Sequence, residues 1–193
     1  MTSITRLSVA VLGLGACLSA IAAAGQGAAE KPVVVLDTSL GAITVELYPD
    51  KAPITVKNFL EYVDEGFYDN LIFHRVMPRF MIQGGGMTDQ LSEKPVNKQP
   101  IKNESSTGLS NNRGTIAMAR MKDPNSATCQ FFINHGDNLN LNTDGGGYTA
   151  FGKVIDGMDV VDKIAKVSTT TRGPYDNVPL KPVYIKSAKR KTS

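Results

Sequence analysis

Apolar residues along this chain recur mostly at every second position, with two stretches where the interval lengthens to three and four. Val33–Leu36 and the alternation Ile43, Val45, Leu47 predict two strands, joined by the turn Ser39-Leu40-Gly41-Ala42. Between Pro53 and Gly66 the period changes. Val56, Phe59, Leu60 and Val63 fall at i, i+3, i+4 and i+7, one apolar helix face, with Pro53 suited to the first turn and Gly66 to the stop. "LIFHRVM" (71–77) and "FMIQGG" (80–85) return to strands on either side of Pro78. Residues 87–112 are polar, contain two prolines and read as a long loop. "GTIAMAR" (114–120) and "QFFIN" (130–134) are short strands around the turn cluster Asp123-Pro124-Asn125-Ser126. A second loop, "HGDNLNLNTDGGG" (135–147), precedes the strand "YTAFGKV" (148–154). "GMDVVDKIAKV" (157–167) is a short helix with Val160, Val161 and Ile164 on its buried side, and "PVYIKSA" (182–188) is a last strand. Many short strands, two helices and Gly-rich turns predict a mostly β domain without internal repeats; periodicity leaves barrel and sandwich both open.

The length, 193 residues, predicts one domain, and 41% hydrophobic residues are enough for a core that requires no metal or disulfide staple. The first 29 residues stand apart: Arg6, then a run of small and apolar residues, then Ala22-Ala23-Ala24. That layout is a secretory signal cleaved after Ala24, with Ala29 as the second choice. The segment is Ala/Gly-rich and weakly apolar for a membrane anchor. "LGAC", ending at Cys17, is also a lipoprotein-type processing string, although the residues after it stay apolar where a tether is usually polar. The expected division is 1–24 signal, 25–31 linker, 32–189 folded domain and 190–193 basic tail, with export to the periplasm. Signal removal leaves Cys129 as the single cysteine, in an apolar setting that suits a buried small residue. Part of the net charge of +3 lies in "KSAKRKTS", read as a solvated terminus. No basic stripe with interleaved aromatics is present, which disfavours nucleic acid as a partner.

Familiar catalytic parts are scarce. His74 and His135 lie at no metal-ligand spacing, no Gly-rich loop opens a helix for phosphate, and no G-x-S-x-G elbow occurs, so no metal is expected and a nucleophilic hydrolase lacks parts. The conspicuous residue is Arg75, a charge inside an apolar strand. Strict alternation puts Arg75 on one face with Phe73 and Met77, and His74 on the other with Ile72 and Val76. On that pattern His74 is a hydrogen-bonded core histidine. Arg75 is either a surface arginine lying over apolar neighbours or a functional group.

"FHRVMPRFMIQGG" (73–85), followed in order by "GTIAMAR", "SATCQFFIN" and "FGKVIDGMDVVDKI", resembles the cyclophilin family of peptidyl-prolyl cis-trans isomerases over residues 32 to about 189. "EGFYDN", "GGG", "IKNE" and "RGPYDNVP" resemble its secreted Gram-negative branch. The resemblance implies a closed eight-stranded antiparallel β-barrel capped by two helices, with an external groove for X-Pro segments of other proteins and no cofactor. It implies Arg75 as the catalytic arginine, with Phe80, Met81, Phe132 and Leu141 around the proline ring. Gln83 would hold the arginine, Gln130 and Ala119 would touch the peptide backbone, and Tyr148 falls where many relatives carry a pocket-rim His. A monomer assisting the folding of exported proteins is expected. A binding module using the same groove with little turnover is the alternative; it would need the hole but not the donor. A His-dependent hydrolase would need His74 exposed beside a carboxylate. Two positions depart from eukaryotic relatives. Asn140 stands where an aromatic usually helps bind cyclosporin, which implies weak drug binding, and Arg120 replaces an Asn, which implies a more cationic rim.

Overall fold

The computed structural model describes residues 1–2, 31–107 and 109–191. Nearly all of the predicted signal, both cleavage points, Cys17 and most of the linker lie outside the described residues.

Ten strands and two helices follow in the order β1 (Val33–Thr38), β2 (Gly41–Leu47), α1 (Pro53–Asp64), β3 (Leu71–Met77), β4 (Met81–Gly84), β5 (Thr115–Met118), β6 (Phe131–Asn134), β7 (Ala150–Asp156), α2 (Met158–Ala165), β8 (Thr169–Arg172), β9 (Tyr175–Pro179) and β10 (Tyr184–Arg190). Eight of the strands close into an antiparallel barrel in the order β1-β10-β3-β4-β6-β5-β7-β2, which decides between barrel and sandwich. Alternate residues fill the interior: Val34 and Leu36 from β1, Ile43, Val45 and Leu47 from β2, Phe131 and Ile133 from β6, all fully buried. The helices close the ends. Phe59 of α1 packs edge-on to Phe131 at 5.6 Å and against Tyr68 and Phe151 at 5.4 and 5.2 Å. Val160, Val161 and Ile164 form the buried side of α2.

The start of α1 has no local cap, because Ala52 occupies the capping position. Glu104, 8% exposed, supplies one from the long loop: its carboxylate accepts the Ile54 and Thr55 amides at 3.1 and 2.8 Å and the Thr55 hydroxyl at 2.8 Å. A negative charge satisfying free amides at a helix N-terminus is favourable twice over, by hydrogen bonding and by the helix dipole. This contact ties the irregular segment 87–112 to the barrel.

Three elements differ from the sequence expectation. The hairpin β8–β9 went unforeseen, since its strands carry few buried side chains. β10 runs through Arg190, and the Lys191 amide donates to Val33 O, so "KSAKR" is a barrel strand rather than a solvated tail. Its charges remain in water while its backbone pairs with β1, and Arg190 grips Asp64 of α1 at 2.7 and 2.6 Å. The third difference is in β3. Phe73 pairs with Gly84 and Arg75 pairs with Gln83, so two steps on β3 oppose one on β4 and His74 is the extra residue of a β-bulge. Phe73 and Val76 therefore both point into the core, whereas strict alternation had placed Phe73 with Arg75 and Val76 with His74.

His74 is 5% exposed and its Nδ1 has no partner, so it is a core histidine with part of its hydrogen-bonding capacity unmet. Burial first, then the Arg75 charge, lowers its pKa from 6.5 to about 4, against an opposing backbone contact at Ile72. A pKa depressed in the fold leaves stability intact above 6.5 and removes it as pH falls toward 4. The loss attributable to this ring is ~3 kcal/mol. Urea unfolding of the parent and of His74→Leu across that range should show the parent losing the larger share on acidification; parallel curves would mean the ring is not charged on unfolding.

Candidate active site

With the interior filled, the outward residues of β3, β4, β6 and β5 are the surface on which chemistry can be placed. Pairing sets Arg75 opposite Gln83, Gln83 opposite Phe132, and Phe132 opposite Ala117, one row across four strands. In the next row Met77 faces Met81 and Met81 faces Asn134. The apolar members of these rows form a second cluster outside the barrel, in which Met81, Phe132, Leu141 and Ala150 are buried and Phe80 and Tyr148 are partly so. Its far wall is the loop through the 3-10 turn Leu139–Asn142, which brings Leu141 and Tyr148 over the sheet. Phe132 and Tyr148 meet edge to face at 5.9 Å.

Together these residues enclose a pocket of about 190 Å³. Pockets for drug-sized ligands run to roughly 300–1,000 Å³, so this one suits a single ring or side chain. Arg75 stands at its edge beside Gln83 and Ala119. Eight of the nine residues anticipated from the sequence line it; Gln130 lies in an adjoining depression, with Gln83, Ala119 and Met121. Gly86 makes room for Gln130, whose side chain occupies the space a Cβ would take.

Polar contacts refine the expected roles. Gln83 Nε2 donates to Gln130 Oε1 at 3.0 Å, whereas no hydrogen bond from Arg75 to Gln83 Oε1 is formed among the described residues. Among the described residues the exposed Arg75 guanidinium has no hydrogen-bond or ion-pair partner, so its donors face outward unoccupied. The Ala119 amide is taken by Gln130 O at 2.9 Å, which leaves its carbonyl for a ligand.

Arg120 also lines the pocket, and its position adds to the more cationic rim a structural task that the sequence left open. Its guanidinium does not lie free on the rim. Nε donates to Gly147 O, Nη1 to Met121 O and Lys122 O, and Nη2 to Asp144 O and Gly145 O, at 2.8–3.5 Å. The same group stacks 4.2 Å over the Tyr148 ring. A planar fork with five donors can hold several carbonyls of one turn at once. Arg120 thereby fixes the loop that carries Leu141 and Tyr148. Nothing near Arg120 in sequence signalled this, because most of its acceptors lie 24 to 27 residues away. Asn140, beside the pocket, is exposed and donates to Asp144 Oδ2 at 2.8 Å. His74, buried in β3, is neither exposed nor set beside a carboxylate, which removes the hydrolase reading.

Residues 33–190 match the family model for cyclophilin type peptidyl-prolyl cis-trans isomerase/CLD. A peptidyl-prolyl cis-trans isomerase of Acinetobacter baylyi is 56% identical over 162 residues, covering 83% of this chain and 86% of the relative. Peptidyl-prolyl cis-trans isomerase B of Escherichia coli is 52% identical over 160 residues, covering 80% and 97%. Among solved structures, a Cryptosporidium parvum cyclophilin type isomerase crystallised in the presence of the dipeptide Ala-Pro superposes with a TM-score of 0.71 at 29% identity, covering 83% of this chain and 99% of that one.

Proposed function

The chain belongs to the cyclophilin-type peptidyl-prolyl cis-trans isomerase family and is an enzyme of that activity, and on that premise we propose that Arg75 is its catalytic group and that its clients are exported proteins. The amide C–N bond resists rotation by about 18–20 kcal/mol because of its partial double-bond character. At X-Pro both isomers are populated, yet exchange takes tens of seconds or longer. Halfway through rotation the conjugation is lost, and the proline nitrogen becomes pyramidal and basic. A fixed guanidinium that donates toward that nitrogen and the prolyl carbonyl binds the twisted state better than either planar one, which is the condition for catalysis. No bond is made or broken, so neither a nucleophile nor a proton relay is required.

The observation that supports this reading is an exposed arginine without an internal partner at the edge of a one-ring apolar pocket. Phe80, Met81, Phe132 and Leu141 hold the ring in the proposal, while the residue before proline turns in solvent. Gln83 orients the site through Gln130, and Gln130 and Ala119 meet the peptide backbone in the adjoining depression. All of these groups come from one chain, so a monomer is sufficient. Arg75→Ala should lower turnover of an X-Pro peptide on the order of 10²–10³-fold, with the fold and much of the peptide affinity retained. Arg75→Lys should also be poor, since it loses the planar fork. An Arg75→Ala variant that turns over like the parent, with circular dichroism as the folding control, would reduce Arg75 to a bystander.

Weak cyclosporin binding is part of the same reading, because Asn140 offers the drug no aromatic surface and its amide is engaged with Asp144. Asn140→Trp should tighten drug binding about tenfold and leave peptide turnover near the parent level. Tight binding by the parent would contradict this assignment of the loop.

Export rests on the N-terminal pattern, and the family match begins only at residue 33, beyond it. The secreted protein should begin at Gly25 or Glu30 by intact-mass measurement, and a diacylglyceryl adduct on Cys17 would favour a lipoprotein instead.

A further inference from the structure

The turn between β3 and β4 carries Phe80 to the pocket. It runs Met77-Pro78-Arg79-Phe80, closed by Phe80 N to Met77 O at 3.1 Å, with Pro second and Arg79 third at φ 65°. A type II turn wants glycine at that third position, because a side chain is strained at positive φ. This chain places an arginine there, so the turn depends on outside support.

Support comes from the segment after β6. Phe80 O accepts His135 N at 2.8 Å, Asn138 Nδ2 at 2.8 Å and Gly136 N at 3.3 Å. Gly136 has no Cβ, and one there would overlap the Arg79 carbonyl. The remaining turn amide, Arg79 N–H, donates to His135 Nδ1 at 2.8 Å. A backbone N–H can only donate, so Nδ1 carries no proton and the ring's single proton sits on Nε2. Nε2 faces Asp162 Oδ1 of α2 at 3.0 Å, which makes that contact a charge-assisted hydrogen bond to a neutral ring rather than an ion pair. Asp162 is in turn held by Arg113 Nη2 at 2.7 Å, chiefly through which its carboxyl titrates below the usual range. Arg113 Nη1 also donates to His135 O at 2.6 Å, and its amide to Asp137 Oδ1 at 2.8 Å. The His135 side chain is 14% exposed and lies outside the pocket.

We infer that His135 is a positioning residue for the isomerase: through an unprotonated Nδ1 it holds the Arg79 amide, and so sets Phe80 as the wall of the proline pocket, with Asp162 and Arg113 fixing the ring from α2. The inference rests on the reading of Phe80 as part of that pocket. It accounts for an arginine at a glycine-favouring position, since the strain is countered by an acceptor from the segment after β6. Loss of the acceptor should weaken binding of ground state and transition state alike, which appears in KM rather than kcat.

The test uses the whole protein and an X-Pro peptide. Asn carries an acceptor near the Nδ1 position, whereas Gln carries its amide near the Nε2 position. His135→Gln should raise KM about fivefold with kcat close to the parent, whereas His135→Asn should stay within about twofold of the parent. Exchange of the Arg79 amide should quicken in His135→Gln and stay slow in His135→Asn. Arg79→Gly removes the strain, so in that background His135→Gln should lose most of its effect on KM. Equal behaviour of the Asn and Gln variants, or an undiminished effect beside Arg79→Gly, would overturn the inference. Phe80→Ala separates the two levels of the argument. If it raises KM while His135→Gln does not, the positioning role fails and the pocket stands. If it binds peptide like the parent, the pocket reading itself fails, and the positioning role with it.

Discussion

A closed eight-stranded barrel must fill its own interior, and the rest of this molecule is arranged around that constraint. Leu36, Ile43, Phe73, Phe131 and Phe151 pack into that interior, and α1 and α2 contribute Phe59, Val161 and Ile164 to the same core. Function is thereby confined to outward side chains. The same alternation that sends Phe131 and Ile133 inward sends Phe132 outward, where with Met81 it starts a second apolar cluster. A loop folded over that cluster turns a flat sheet surface into a pocket for one ring.

The bulge at His74 adds a local exception with a functional consequence. In an unbroken strand, Arg75 and Phe73 would share a face, and a strand with Phe73 in the core would carry the guanidinium into it. Burying that charge without a partner costs far more than a bulge does. The extra residue lets Phe73 and Val76 both reach the core while Arg75 stays outside. The displaced cost falls on His74, which is buried, short of a partner and held neutral.

Two arginines border the pocket, and their surroundings give them opposite tasks. Arg120 has its donors taken by backbone carbonyls and its face covered by Tyr148, so it builds the loop. Among the described residues Arg75 has no such partners, which leaves its donors open as the proposed role requires. His135, behind the β3–β4 turn, belongs with Arg120: its ring and backbone bond the turn that carries Phe80, and its side chain does not line the pocket.

Periodicity in the sequence determined the two helices, most strands, the long loop and the inward residues outside β3, because these depend on neighbours one to four positions away. Its motif strings also carried the family resemblance, and with it the pocket residues from Arg75 to Tyr148. Tertiary structure alone decided barrel over sandwich, since closure depends on β1 finding β10 across nearly the whole domain. It decided the face of Arg75, because a bulge is defined by the register of two strands and not by either one. It decided that Arg190 is barrel rather than tail, that Glu104 caps a helix some fifty residues away, and that Arg120 serves a loop. Each of these is a contact between residues far apart in the chain, and such contacts leave no periodic trace in the residues that make them.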